Sequence, residues 1–484
     1  MVRLPAIALF CLAASASAGT APVSSEAERQ AVYDEFKRAF AAGQMPEAQA
    51  LAGELVSMME AAKVDSERLS TAWNNLGVVQ FRTGNLAGSE ASFRRSLELL
   101  EATEGIASRR LISPLAGLAA VQAAGDQHAL AVEALQRAVA ISRRSEGLFN
   151  LRQLELLDPL ARSLGALGAD AEVEQQHRYA LKIVQREYGV NDPRTLPATL
   201  ELARWLESKG RYVSSRALWG QAVRVGSAEG TGLNVATIDG LIAIARTYRL
   251  QYSLDPESIA EATAEDPFAG RYESTNTLPA RYLAVRLDDD GEQAALKALE
   301  LLEASSDPPP DLLARTLLEL GDWYTTAHRP DMALPYYQRA WPLLAEAESL
   351  GGATNPLAVP LPLHYRPPAA ATRNRDREGV VTEARLVRAE LTIAPTGEVT
   401  SARIVESDID DSQADTLQRA LGRAWFRPRF DAGGPVEEPA LPYTETWYVI
   451  AEPAQPPAEG SGPESVVEPD PEETAGAESE ETGS

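Results

Sequence analysis

Histidine is the side chain best placed to move protons or bind metals near neutral pH, and the 484-residue chain holds four of them, His128, His177, His328 and His364. None has a companion at a spacing that makes chemistry. There is no HExxH zinc pair, no GxSxG nucleophile elbow, no Walker loop and no glycine fingerprint for a dinucleotide. The first three histidines sit within repeated segments and read as core or turn residues. The run Asp288-Asp289-Asp290-Gly291 opens like a calcium loop, but Arg286 and Lys297 stand where that loop needs carboxylates. It reads instead as a helix cap. Asp408, Asp410 and Asp411 likewise precede a helix, whose N-terminus favours negative charge. With 70 acidic residues in the chain, carboxylates near one another in sequence carry no weight as a glycosidase pair. The expectation is a protein that is not an enzyme, with no catalytic residue, metal, cofactor or small-molecule substrate.

Composition narrows the partners. The formal net charge of −25 argues against sequence-independent binding to nucleic acid, which needs lysines and arginines to displace counterions, and against a polybasic grip on anionic lipid. A chain of this length is expected to divide into two or three domains.

What must position any functional residue is a repeat. Leu51, Phe93, Leu135, His177 and Trp219 follow one another at 42 residues, and Ser96, Ala138, Ala180 and Ala222 keep the same step. Gly43, Gly84, Gly125, Gly168 and Gly210 recur between pairs of helical segments, where a tight turn needs a left-handed backbone. Small residues let two helices approach; the large residue three positions earlier fills the groove between them. Five units are expected between about 28 and 228. A sixth follows, with helices at 237–250 and 292–302 around an insertion at about 252–290. A seventh lies at 312–346.

Trp73, Leu76, Gly77 and Phe93 have the spacing of the tetratricopeptide repeat, and Leu317, Leu320, Gly321, Tyr324, Ala333, Tyr337 and Ala340 match it position by position. The array over 28–346 therefore resembles a tetratricopeptide-repeat protein, with a period like the longer repeats of kinesin light chain. The expected repeat-core residues are Trp73, Leu76, Gly77, Phe93, Ala138, Ala180, Trp219, Ala222, Gly321, Tyr324, Ala333 and Tyr337. The resemblance implies an all-α superhelical solenoid with a groove for protein or peptide partners.

Residues 347–368 are proline-rich and read as a linker. Val387, Ala389, Leu391 and Ile393 then alternate with polar residues as in a half-buried strand. Pro395-Thr396-Gly397 supplies a hairpin turn, and residues 398–405 return as a second strand. Ser412 is expected to cap a helix that turns Leu417, Leu421 and Ala424 inward. Trp425-Phe426-Arg427-Pro428 ends it, a loop with Gly433-Gly434-Pro435 follows, and 443–450 reads as a last strand. Trp425, Phe426 and Trp447 are expected to be core aromatics. The ordered set of Gly397, Val399, Val405-Glu406-Ser407, Trp425, Phe426 and Pro428 resembles the C-terminal domain of TonB, the energy transducer of Gram-negative bacteria. That resemblance gives 369–451 an α+β fold. It implies a peptide-binding edge strand of Tyr443, Thr444, Glu445, Thr446, Trp447, Tyr448 and Val449, to which an outer-membrane receptor segment adds by β-augmentation.

The N-terminus reads as an export signal over 1–18. Arg3 precedes an apolar run from Leu4 to Ala14, and Ala16-Ser17-Ala18 offers a cleavage site before Gly19. Cys11, the single cysteine, falls inside it, and the bulky Phe10 before it does not suit a lipoprotein site. Residues 452–484 contain no lysine, arginine or aromatic residue and too little apolar surface to offset chain entropy, so disorder is expected. The expected protein is a periplasmic interaction scaffold for envelope proteins, with outer-membrane receptors as candidate partners and TonB-dependent transport as the context. The alternative is an envelope-assembly scaffold unrelated to transport, or a chain anchored in the inner membrane by an uncleaved N-terminus. Mass spectrometry of the protein recovered from an expressing Gram-negative cell is expected to find Gly19 as the first residue; recovery of Met1 would instead point to the anchor.

Overall fold

A computed structural model describes residues 24–228, 233–253, 280–372 and 382–450, with the backbone alone described for 280–289 and 372. The export segment with Cys11, most of the insertion and the acidic tail lie outside the described residues. The chain divides into two compact units. The first comprises 1–366 together with 395–397 and 425–437, and the second 367–394, 398–424 and 438–484.

The described part of the first unit carries seven antiparallel helix pairs: α1 (Glu26–Ala41) with α2 (Met45–Ala61), α3 (Ser66–Arg82) with α4 (Leu86–Glu104), α5 (Ile112–Ala124) with α6 (His128–Glu146) and α7 (Leu154–Ala166) with α8 (Asp170–Tyr188). They continue with α9 (Leu196–Ser208) and α10 (Tyr212–Ser227), α11 (Val235–Ser253) and α12 (Ala280–Glu303), and α13 (Pro310–Thr326) and α14 (Pro330–Ser349). Each helix packs on the next along the chain, and α3, α5 and α7 also touch in sequence. No pair can bury its own apolar face, so the core runs on from pair to pair. Local chemistry starts the helices: Ser25 and Glu28 form a capping box on α1, Asp65 accepts from the Arg68 amide, and Asn85 accepts from Gly88.

Close approach of helices is set by glycine against an aromatic ring. Phe93 is 1% exposed and lies against Gly77 of its own pair and Gly117 of the next. A Cβ on Gly77 would fall 2.9 Å from the ring, and one on Gly117 nearer still. Gly321 meets the Tyr337 ring in the same way, and Gly291 meets Trp323. Ala138, Ala222 and Ala333 are essentially buried, as are Trp219, Tyr324 and Tyr337, whereas Trp73 and Ala180 are half-buried.

A second device repeats at the same step, unmarked by the core pattern. Gly105, Gly147 and Gly189 each end a helix with φ between 82° and 94°. The residue after each, Ile106, Leu148 or Val190, is exposed, while its carbonyl is held by the following repeat. Arg137 Nη2 donates to Ile106 at 3.3 Å, the Tyr179 hydroxyl to Leu148, and Gln221 Nε2 to Val190 at 2.9 Å. The three donors are also 42 residues apart.

Gly43, Gly84, Gly168 and Gly210 take φ values of 72° to 80° in their turns. Gly125 does not: it caps α5 at φ −96°, and Asp126 takes the left-handed position at φ 57°. Aspartate tolerates that conformation because its short side chain bonds locally.

Several expectations need correction. The helix placed at 292–302 begins at Ala280, so Asp288-Asp289-Asp290-Gly291 lies inside α12 and caps nothing. The proline-rich 347–368 is not a free linker. Leu357 and Leu363 are buried, the Phe430 amide donates to the Leu357 carbonyl at 2.7 Å, and β1 (Leu361–His364) pairs antiparallel with β4 (Trp425–Arg427). The loop at Gly433-Gly434-Pro435 is a small hairpin of β5 (Arg429–Asp431) and β6 (Gly434–Val436). The whole stretch 425–437, assigned from sequence to the C-terminal domain, belongs to the helical unit.

The second unit is a three-stranded antiparallel sheet with β2 (Thr382–Ile393) between β3 (Val399–Ser407) and β7 (Glu438–Ile450). The last strand starts five residues before the expected Tyr443. The short helix α15 (Ala369–Thr372) touches β7, and α16 (Asp411–Leu421) touches β3. Asp410, not Ser412, caps α16, through a capping box with Gln413. Val387, Leu391, Leu417, Leu421 and Trp447 are buried here.

Gly321→Ala is expected to lower stability by about 1–3 kcal/mol, because the added methyl overlaps the Tyr337 ring in a packed core. Urea denaturation of the full chain measures it; an unchanged midpoint would show that the helix pair can open without cost.

Candidate functional site

The residues singled out for the repeats lie within the helix pairs, most of them buried. Their neighbourhood in the last pair also holds a constellation the sequence does not announce. Arg249 of α11, Glu319 and Asp322 of α13, Tyr337 of α14 and Arg427 of β4 are all buried. Arg427 grips Asp322 through two bonds, Nε to Oδ1 at 2.8 Å and Nη2 to Oδ2 at 2.6 Å. Arg249 grips Glu319 the same way at 2.7 and 3.1 Å, and reaches Asp322 at 3.6 Å. The Tyr337 hydroxyl donates to Asp322 Oδ1 at 2.9 Å, and Arg427 Nη1 donates to the Pro356 carbonyl at 3.3 Å.

Burial drives both carboxyls upward. For Asp322 the two guanidiniums, Arg427 foremost, prevail and hold it below its ordinary range; for Glu319, with the closer support of Arg249 alone, burial prevails. The formal charges of the two arginines and two carboxylates sum to zero. Such a cluster fixes the geometry of the strands and helices that carry it.

Two of the four histidines also come together here. His328, at the left-handed turn after α13 with φ 59°, stacks on Trp425 at 4.9 Å between centroids and meets His364 of β1 edge-on at 5.3 Å. Tyr252 lies 6.0 Å beyond His364. Burial first, then Arg366 and His328, pushes His364 down to about 4; burial and Arg366 lower His328 as well. Neutral rings at physiological pH suit stacking. His128 stands at the start of α6, and His177 is half-buried beside Trp205, its value lowered by burial. Among the described residues there is no group of three or more metal-binding side chains.

In the first unit a groove of about 680 Å³ includes Thr71, Asn74, Ser113, Arg110 and Arg152 in its lining. In the second unit β7 is an outer strand of the three-stranded sheet. Along it Trp447 is buried, Tyr443, Glu445, Thr446, Tyr448 and Val449 are half-buried, and Thr444 is exposed. Its pairing with β2 runs without a break from Thr382↔Ile450 to Leu391↔Leu441, while the β2–β3 ladder shifts register twice. The Thr446 amide donates to the Glu445 carboxylate at 3.2 Å, and so faces away from β2.

The tetratricopeptide-repeat family model matches residues 68–144. Solved structures similar to the chain include a putative kinesin light chain from Podospora anserina with tetratricopeptide-like repeats, 19% identical, covering 42% of this chain and 95% of that one, with a TM-score of 0.38. PilF of Pseudomonas aeruginosa is 15% identical over 54% of this chain and 98% of its own, with a TM-score of 0.32. A tetratricopeptide repeat protein of Parabacteroides merdae is 13% identical over 67% and 96%, with a TM-score of 0.32. No curated protein matches the chain.

Arg427→Met is expected to cost about 3–5 kcal/mol, the penalty of an unpaired buried charge, and Asp322→Leu in the same chain should recover most of it. Chemical denaturation of the three proteins tests this; equal stability of R427M and wild type would remove the cluster from any structural role. For His364, the neutral ring stabilises the fold fully above the ordinary value of 6.5, and that contribution fades as pH falls from there toward about 4. An NMR titration of the ring protons is expected to give a midpoint near that lower value; a midpoint at the ordinary value would mean the stack is open in solution.

Proposed function

We propose that this tetratricopeptide-repeat protein is a non-catalytic scaffold of the Gram-negative periplasm that holds one protein partner on its helical array and another on the β7 edge. Tetratricopeptide arrays bind proteins and peptides, and the array is the premise of the reading. The finer reading rests on the resemblance of the C-terminal sequence to the TonB C-terminal domain, in which a receptor segment pairs with a sheet edge. In that reading the partner is an outer-membrane receptor and the process is TonB-dependent transport.

The observation that carries the reading is the β7 edge. An edge strand presents unpaired amides and carbonyls, and proteins commonly blunt such edges with bulges. The register shifts fall mostly on the β3 side, leaving β7 regular over the ten pairs from Leu441 to Ile450. A peptide strand laid along it would gain main-chain bonds from the outward amides and replace the Glu445 carboxylate at Thr446.

Peptides from the periplasmic segments of outer-membrane receptors should bind the full chain, measured by calorimetry. Thr446→Pro removes an outward donor while sparing the β2 ladder, and should weaken binding at least tenfold without altering the melting temperature. Absence of binding across a broad panel, or binding indifferent to T446P, would defeat the receptor reading and leave the envelope-assembly alternative, in which partners are captured through the helices.

A further inference from the structure

Positions that the repeat requires return every 42 residues; positions that do not return are free of that requirement. By this criterion one junction of the array stands out. Between α6 and α8 lies a groove of about 520 Å³ with Val139, Ala140 and Leu160 among its lining and Arg143, Phe149 and Tyr179 beside them. Arg143 lies 4.4 Å over the Tyr179 ring, and Arg186 and Lys182 lie 4.5 and 5.3 Å from the centre of the Phe149 ring. The two rings are 6.0 Å apart. Leu148, 62% exposed, adjoins them.

The repeat does not ask for this cassette. One step before and after Arg143 stand Glu101 and Gln185, and around Phe149 stand Ala107 and Asn191. Nor is its charge answered from within. Among the described residues no carboxylate lies within ion-pair distance of Arg143, Lys182 or Arg186, in a chain whose formal charge is −25. Elsewhere on the same two helices the arginines are paired: Arg137 of α6 with Glu101, and Arg178 of α8 with Glu174, which Arg211 also reaches.

We infer that the α6–α8 groove is a docking site for an acidic peptide segment that bears an apolar side chain. The cations supply attraction to the carboxylates, and they are already oriented by the rings beneath them. The apolar lining and Leu148 take the apolar side chain, and Gln136, Gln175 and Gln176 at the same groove supply main-chain partners. Three cations on so acidic a protein are too few to hold a nucleic acid or a membrane surface, and neither would use the apolar lining. The inference goes beyond the edge-strand reading and stands or falls apart from it, because the groove lies wholly in the helical unit.

The test uses the full chain and a fluorescein-labelled, glutamate-rich peptide with a central leucine, followed by anisotropy. The acidic peptide should bind at least tenfold more tightly than its glutamine counterpart, with an affinity that falls as salt is raised. Lys182→Glu with Arg186→Glu, both exposed positions, should abolish the preference while circular dichroism stays unchanged; Leu148→Ser should weaken both peptides. Equal binding of the two peptides, an unaltered preference in the double variant, or binding of phosphatidylglycerol vesicles in place of the peptide would each overturn the inference.

Discussion

Asp322 is the residue on which the far end of the helical unit depends. It lies almost without solvent between two arginines, one from α11 and one from β4, with the Tyr337 hydroxyl as a third donor. A lone carboxylate at that depth would be prohibitively costly. Its presence therefore obliges Arg427 to be there, and Arg427 brings β4, its partner strand β1 and the Phe430 side chain with it. A stretch more than a hundred residues downstream in sequence thus becomes part of the core of the last helix pairs. Hydrophobic burial alone would not choose so narrowly, since it is indifferent to direction, whereas two bidentate guanidinium bonds fix both position and angle.

Along the rest of the array the constraint is steric and periodic. Glycine against a ring decides how near two helices lie, and the clasp from Arg137, Tyr179 or Gln221 to a carbonyl of the preceding repeat decides how one pair meets the next. The clasp donor need only donate. That leaves its identity free, and Tyr179 serves at once as a clasp and as a wall of the α6–α8 groove. A repeated scaffold gains a specific site in this way, by spending a structurally tolerant position on it.

The β7 edge and the α6–α8 groove differ in the chemistry that they present. The β7 edge offers main-chain hydrogen bonds, which are blind to sequence except through neighbouring side chains. The α6–α8 groove offers charge and apolar contact, which depend on the partner's side chains.

The sequence by itself determined the helical array. Periodicity is a local property written into residue sizes, so Phe93, Ala138, Trp219 and Ala222 follow from the 42-residue step, and Leu76, Gly77, Gly321 and Tyr337 from the resemblance to the tetratricopeptide motif. The alternation of β2, the return strand β3 and the turn at Gly397 were legible for the same reason. The glycines at 105, 147 and 189 are equally periodic, but the residues after them are exposed and match no core pattern. Tertiary structure alone decided that 347–368 and 425–437 complete the helical unit, that His328 and His364 stack with Trp425, and that Arg143, Lys182 and Arg186 stand without carboxylate partners. Each of these depends on groups brought together from distant parts of the chain. Their pairing is a matter of geometry in space, for which residue type and spacing carry no record.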